Sequence, residues 1–157
     1  VAAAQLTAES SRGTADAYTV AVEAADVCSG LAGERGVQVE IAEPSRPIRL
    51  GVDSDFAERI LHPVLENACR YGSRTVSVSI DRDGATVSYA VNDDGPGVSP
   101  AEHERIFEPG TRGSAANGSG SGLGLSLARR LAHTVKGEIE AVADAGGGRF
   151  VVRLPAG

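Results

Sequence analysis

Asn117-Gly118-Ser119-Gly120-Ser121-Gly122-Leu123-Gly124-Leu125-Ser126-Leu127-Ala128-Arg129-Arg130-Leu131 is a run of glycines and serines that turns directly into a helical pattern. Leu123, Leu127 and Leu131 recur every four residues, so one helix face reads as apolar. Glycines just ahead of a helix let backbone N–H groups crowd around an anion, and the helix dipole adds partial positive charge there. The stretch reads as a phosphate-binding device that contains no lysine. A P-loop needs Gly-Lys-Ser/Thr to close its turn, and Leu123-Gly124-Leu125 does not supply it. The dinucleotide fingerprint needs its glycines after a strand, whereas loop precedes Gly120, Gly122 and Gly124. The competing reading is a flexible Gly/Ser linker before an ordinary helix.

Upstream, the pattern alternates between helix and strand. Ala15 to Glu34 reads as one helix with a stripe of Ala17, Ala21, Ala24, Cys28 and Leu31, ended by Gly36. Val37 to Ile41 alternates as a half-buried strand, and Pro47 to Val52 reads as a second, short one. Asp53 opens the next helix as an N-cap, and Phe56, Ile60, Val64, Leu65 and Ala68 form its apolar face to about Tyr71. Pro63 inside it removes a backbone hydrogen bond and predicts a kink. Val76, Val78 and Ile80, then Val87, Tyr89 and Val91, flank an Asp83-Gly84 turn and read as an antiparallel hairpin. Ser99-Pro100-Ala101-Glu102 is a capping box for a short helix through Ile106. Glu108 to Ser121 lacks periodicity and reads as a mobile loop. The glycine-started helix follows to about Val135, and Gly137–Ala143 with Arg149–Leu154 reads as a closing hairpin. This order predicts an α+β two-layer sandwich, a mixed sheet with helices on one face.

The chain's 157 residues suit one domain, and 41% hydrophobic residues with only 4% aromatic leave Val, Leu, Ile and Ala to fill the core. A net charge of −6 argues against a nucleic-acid surface, so local positive groups must hold any polyphosphate. Lys136 is the only lysine. Cys28 and Cys69 have no partner at metal-ligand spacing and read as buried free thiols. No apolar run approaches the ~20 residues a membrane-spanning helix needs. The chain opens on Val1, as a piece of a longer protein would.

Two further clusters carry chemistry. Glu66-Asn67-Ala68-Cys69-Arg70-Tyr71-Gly72 ends the proline-containing helix. Asn67 offers an amide oxygen to a hard cation such as Mg²⁺, Arg70 suits a phosphate, and Tyr71 suits a ring. Asn92-Asp93-Asp94-Gly95-Pro96-Gly97-Val98 follows a strand directly, and a buried carboxylate there is an acceptor for an exocyclic amine such as that of adenine. Arg112, in the loop, has the reach to close on phosphates. Taken singly, these clusters read more readily as a helix C-terminus, a tight Asx-type turn and a solvated arginine. Arg129 and Arg130 read as a charged helix face. His62, His103 and His133 are scattered, with no Ser/His/Asp order and no metal spacing.

The combination resembles the catalytic, ATP-binding domain of a bacterial sensor histidine kinase, within the superfamily that includes DNA gyrase and MutL. Glu66 to Gly72 resembles the family's N box, Asp93-Asp94-Gly95-Pro96-Gly97 its G1 box, Ile106-Phe107-Glu108-Pro109 its F box and Gly120-Ser121-Gly122-Leu123-Gly124-Leu125 its G2 box. The four stand in family order over about Ala15 to Pro155. The resemblance implies the Bergerat ATP-binding fold over residues 15–157, with residues 1–14 a linker or the end of a preceding helical domain.

The resemblance also implies roles. Asp93 would accept the adenine amine, and Gly95 and Gly97 would let the base approach. Asn67 would ligate Mg²⁺. Arg70, Arg112, Gly120, Ser121 and the amides from Gly122 to Leu125, Gly124 included, would hold phosphates. Tyr71, Val98, Ile106 and Leu123 would line the pocket, and Glu108 to Ser121 would form the ATP lid. No residue of this chain is assigned a catalytic role. Pro63 stands where many relatives carry a polar or acidic residue, so a base cannot sit there. The implied activity is transfer of the γ-phosphate of Mg·ATP to a histidine on a separate dimerisation domain, of the same protein or a partner chain, with a response regulator downstream. The isolated domain is expected to be a monomer, to bind no nucleic acid, to lack autophosphorylation, and to sit on the cytoplasmic side of a membrane-bound sensor. An anti-sigma-factor-type serine kinase or regulatory switch of the same superfamily is the alternative. The Phe107-Glu108-Pro109 box and the Glu-Asn-Ala-x-Arg-Tyr form of the N box favour the histidine kinase.

Overall fold

Val87, Tyr89 and Val91 alternate with Ser88, Ala90 and Asn92, and this period of two builds the central strand of the sheet. A computed structural model describes residues 15–97, 105–108, 124–142 and 147–157. The expectations for Val98, Arg112, Gly120, Ser121, Gly122, Leu123, the Ser99–Glu102 capping box and most of the 108–121 loop lie outside them.

The elements in chain order are β1 (Ala15–Asp16), α1 (Ala17–Val27), α2 (Ser29–Arg35), β2 (Gln38–Ile41), β3 (Arg49–Leu50), α3 (Ser54–Tyr71), β4 (Thr75–Asp83), β5 (Thr86–Asp93), a 3₁₀ turn (Arg105–Phe107), α4 (Gly124–Thr134), β6 (Glu138–Ala141) and β7 (Gly148–Pro155). The main sheet has the order β2-β4-β5-β7-β6. β2 runs parallel to β4, a pairing that needs a crossover, and α3 supplies it. The other neighbours are antiparallel. The hairpin turn holds Gly84 at φ +62°, a conformation that glycine adopts at little cost.

Tyr89 and Phe150 from the sheet and Ile60, Leu61, Val64 and Leu65 from α3 are all under 2% exposed, so the core lies between the sheet and α3. Fully burying one such side chain stabilises by about 1.5–3 kcal/mol. The Tyr89 hydroxyl is the polar exception, and it donates to the Ala17 carbonyl at 2.7 Å, tying the start of α1 to the central strand. The layered α+β sandwich read from the sequence is therefore the observed fold.

Local expectations shift in three places. The single helix over Ala15–Glu34 is two helices after a short extended start. Asp16 caps α1 by accepting from Thr19 N at 3.0 Å, which leaves Ala15–Asp16 free to pair with β3. The break falls at Cys28, whose N–H bonds Ala25 O, and Ser29-Gly30, weak helix formers, follow it. The strand read over Pro47–Val52 shrinks to Arg49–Leu50 and joins β1 in a separate two-stranded ribbon. Asp53 occupies the N-cap position of α3 without a side-chain capping bond. α3 itself continues across Pro63, with no break in the helix.

Candidate nucleotide site

β5 determines which acid of Asn92-Asp93-Asp94 faces the core. Its buried row runs Val87, Tyr89, Val91, Asp93, so the alternation carries a carboxylate to the end of an apolar stripe. Asp93 is 7% exposed. Its Oδ1 accepts from Gly95 N at 2.8 Å and Gly148 N at 3.4 Å. Its Oδ2 takes no partner among the described residues. Burial pushes the carboxyl above the usual range, and the two backbone donors oppose that without cancelling it.

Asp94 points elsewhere. Its carboxylate accepts from Ser73 N at 2.8 Å, Arg74 N at 3.0 Å and Thr75 N at 3.2 Å. The Arg74 amide, with those of Ser73 and Thr75, holds it below its ordinary range. It fastens the turn between α3 and β4 to the end of β5. Sequence reading placed both acids at one ligand site; the structure gives Asp94 to the scaffold.

Two close approaches explain the glycines around Asp93. A Cβ on Gly95 would collide with the Tyr71 carbonyl, and one on Gly148 would stand 2.5 Å from Asp93 Oδ2. Gly95 therefore packs on the last turn of α3, and Gly148 leaves the carboxylate uncovered. Gly97 adopts φ +76° beside the Gly147 carbonyl. Gly147 and Gly148 were missed as site residues. The register Asp93↔Gly148 is what brings them there, and a hairpin glycine carries no mark of its distant partner.

A half-buried stripe of α3 leads away from Asp93. Pro63, Asn67 and Arg70 follow at helical spacing, about 10 Å from first to last. Tyr71 closes the helix beside Gly95. Asn67 is half-buried, and its amide has no hydrogen-bond partner among the described residues. Arg70 Nη2 meets Glu66 Oε1 at 3.0 Å, and His62 Nε2 lies 3.5 Å from Glu66 Oε2. At the far end of the stripe, Gly124 begins α4 against Pro63: a Cβ on it would stand 3.5 Å from Pro63 Cβ. The first residue of α4 therefore abuts the α3 stripe at the end away from Asp93.

α4 does not bury the stripe read from its leucines. Ala128 and Ala132 are its buried residues, Leu125 and Leu131 are half-buried, and Leu127 is 49% exposed. Small side chains let α4 pack closely on α3, and that face lies one residue on from Leu127. The expectation for Arg129 also changes. Its guanidinium lies 4.5 Å from the centroid of the Phe107 ring, while Arg130 stays exposed. In the 3₁₀ turn, Ile106 and Phe107 are both buried.

The buried thiols are as expected. Cys28 and Cys69 are free, and burial, with the neighbouring Cys69 and Glu66, pushes Cys28 up to about 12. Among the described residues no group of His, Cys, Asp and Glu is arranged to hold a metal ion, and no helix is long and apolar enough to cross a membrane.

The family model described as histidine kinase-, DNA gyrase B- and HSP90-like ATPase matches residues 52–157. The sensor histidine kinase CpxA of Escherichia coli (strain K12) is 33% identical over 139 residues, covering 85% of this chain and 30% of its own length. The sensor histidine kinase GtrS of Pseudomonas aeruginosa is 40% identical over 113 residues, covering 71% of this chain and 22% of its own. The chain thus spans under a third of these relatives. Among solved structures, full-length ShkA in complex with AMPPNP superposes with a TM-score of 0.76 at 28% identity, over 90% of this chain and 30% of that one. The mycobacterial sensor histidine kinase MprB has the same fold, with a TM-score of 0.76 at 22% identity over 90% of this chain and 97% of that one. With N, G1, F and G2 boxes in order on the matching fold, the chain belongs to the histidine kinase-, DNA gyrase B- and HSP90-like ATPase family, as an ATP-binding catalytic domain of the sensor histidine kinase kind.

Proposed function

We propose that this domain binds Mg·ATP and presents its γ-phosphate to a histidine on a separate helical dimerisation domain. The observation that carries this reading is the open Oδ2 of Asp93, held in a glycine cradle at one end of a stripe whose other end meets the start of α4. A carboxylate oxygen with spare lone pairs selects an amine donor, as adenine offers and guanine does not at that position. Tyr71, Val98, Ile106 and Leu123 line the base and ribose. Arg70, Arg112 and the glycine-run amides from Gly120 to Leu125 hold the phosphates. Gly95 and Gly97 let the base approach.

The donor set suits Mg²⁺ as a partner of the nucleotide. A neutral amide oxygen on Asn67, without a partner among the described residues, fits a hard cation that takes its remaining ligands from phosphate and water. The metal would neutralise charge on the phosphate oxygens during transfer. The imidazole nitrogen of the acceptor attacks the γ-phosphorus in line. A P–N bond forms, the P–O bond to ADP breaks, and the imidazole proton leaves to a base that Pro63 cannot supply. This chain contributes binding and orientation.

Residues 15–157 form the catalytic unit in this reading, and residues 1–14 lead from the preceding domain. The acceptor domain and a response regulator are the partners. The domain works on the cytoplasmic side, in a sensor of the kind its relatives represent. The test is incubation with γ-labelled ATP. The chain alone stays unlabelled, because His62 and His133 are built into α3 and α4 and cannot swing in line. Adding the helical domain yields acid-labile, alkali-stable label. Such label on the isolated chain sinks the reading, and acid-stable label on an added protein's serine replaces it with the anti-sigma alternative.

A further inference from the structure

Arg129 reaches off α4 toward two groups at once, with its side chain only 19% exposed. Nε donates to Glu138 Oε1 on β6 at 2.9 Å, and the guanidinium plane lies over Phe107 at 4.5 Å. The same Glu138 oxygen meets His133 Nε2 at 2.9 Å and accepts from Ile139 N at 2.9 Å. Burial alone would raise this carboxyl, but bonds from Arg129, His133 and Ile139 outweigh it and hold it at about 2. Glu138 is a fixed anionic anchor at neutral pH. Phe107 in turn meets Phe150 edge-on, 6.2 Å between centroids at 83°. Phe150 follows Gly148 by two residues on β7, and Gly148 donates to Asp93. The contacts run from Glu138 through Arg129, Phe107 and Phe150 to β7, the strand that pairs with β5 and whose Gly148 bonds Asp93.

We propose that Arg129 is a positioning residue for the nucleotide base. It holds Phe107, and with it Ile106, against β7 at the Asp93 end of the site. This rests on the nucleotide reading above. An ordinary ion pair between α4 and β6 would need no ring, and a lysine would serve it. A planar guanidinium can bond a carboxylate along its edge while its face covers an aromatic ring, and lysine cannot do both. Phe107 stands just before, and Arg129 just after, the stretch from Pro109 to Leu123, so the contact joins chain segments that the sheet alone does not connect.

The test measures Mg·ATP and Mg·ADP affinity by calorimetry for the wild-type chain, Arg129→Met, Arg129→Lys and Glu138→Gln, with a thermal melt of each. Methionine keeps the packed stem and removes both polar functions. Arg129→Met should weaken ATP and ADP by the same factor, on the order of 2- to 30-fold for a lost, largely desolvated cation–ring contact. Arg129→Lys should recover part of that loss, and Glu138→Gln should weaken both nucleotides in the same direction by less. Wild-type affinity in Arg129→Met, with only a lower melting temperature, reduces the contact to a surface ion pair and overturns the proposal. A loss confined to ATP puts the effect at the γ-phosphate end and overturns it too. If Arg129→Met does not melt cooperatively, Glu138→Gln carries the test: weakened binding supports the proposal and wild-type binding overturns it. A wild-type chain that binds neither nucleotide refutes instead the reading of the site.

Discussion

Asp93→Asn should separate binding from stability, and the two should move in opposite directions. The asparagine Oδ1 can take the place of Asp93 Oδ1 and keep the bonds from Gly95 N at 2.8 Å and Gly148 N at 3.4 Å. Its NH₂ then stands where the open Oδ2 was and faces the adenine amine, donor against donor. Losing the acceptor and leaving both amines unpaired costs about 1–3 kcal/mol, a roughly 5- to 150-fold rise in Kd for ATP. The free protein should respond the other way. Burial raises the Asp93 carboxyl above its unfolded value, so between those two values the folded state holds more protons than the unfolded one. Stability then falls as pH rises through that window and stays lower above it. Asparagine has no charge to desolvate and skips this loss. The variant should melt higher than wild type at pH 7, and the gap should narrow as pH falls through that window and close below about 4, where Asp93 is protonated in both states. Calorimetry with a non-hydrolysable ATP analogue, and melts at pH 7 and below pH 4, measure both halves. Unchanged affinity would remove Asp93 as the adenine acceptor. A variant that melts lower than wild type at pH 7 would refute the burial argument.

Gly95→Ala drives a Cβ into the Tyr71 carbonyl, so it should lower the melting temperature and weaken nucleotide binding together. An overpacking cost of about 1–3 kcal/mol is expected, and a variant with wild-type stability would show that the loop moves aside freely. Asn67→Ala should reduce the Mg²⁺-dependent part of ATP affinity and leave metal-free binding nearly intact, since its amide has no partner among the described residues. Equal losses with and without metal in titrations would make Asn67 a packing residue. Tyr89→Phe should cost about 1–3 kcal/mol, because the Ala17 carbonyl loses its buried 2.7 Å donor. Urea unfolding measures it, and an unchanged midpoint would mean that water replaces the hydroxyl.

Local pattern alone was enough for most of the architecture. The alternation of Val76, Val78, Ile80 and of Val87, Tyr89, Val91 specified the central hairpin, because a strand's side chains must take opposite faces. The face of α3 was legible for the same reason at a period of 3.6, and Gly36 and Gly84 marked a helix end and a turn through the positive φ they adopt. The box residues Asn67, Arg70, Asp93 and Gly95 could be named only because four boxes stand in family order; each cluster alone reads as ordinary scaffold.

What needed the folded chain was every relation between distant residues. Asp93 and Asp94 are neighbours of identical chemistry, and the β5 register buries the first while the amides of Ser73 to Thr75 bind the second into the scaffold. Gly148 lies 55 residues from Asp93 and meets it only because β5 and β7 pair. Arg129 reads as one more surface charge until β6 and the 3₁₀ turn bring Glu138 and Phe107 to its two sides. Leu127 follows the leucine periodicity yet stays half exposed, because α4 packs through Ala128 and Ala132. Periodicity says that a helix has an apolar side; which small residues let a neighbouring helix approach depends on that neighbour, and the chain acquires it only on folding.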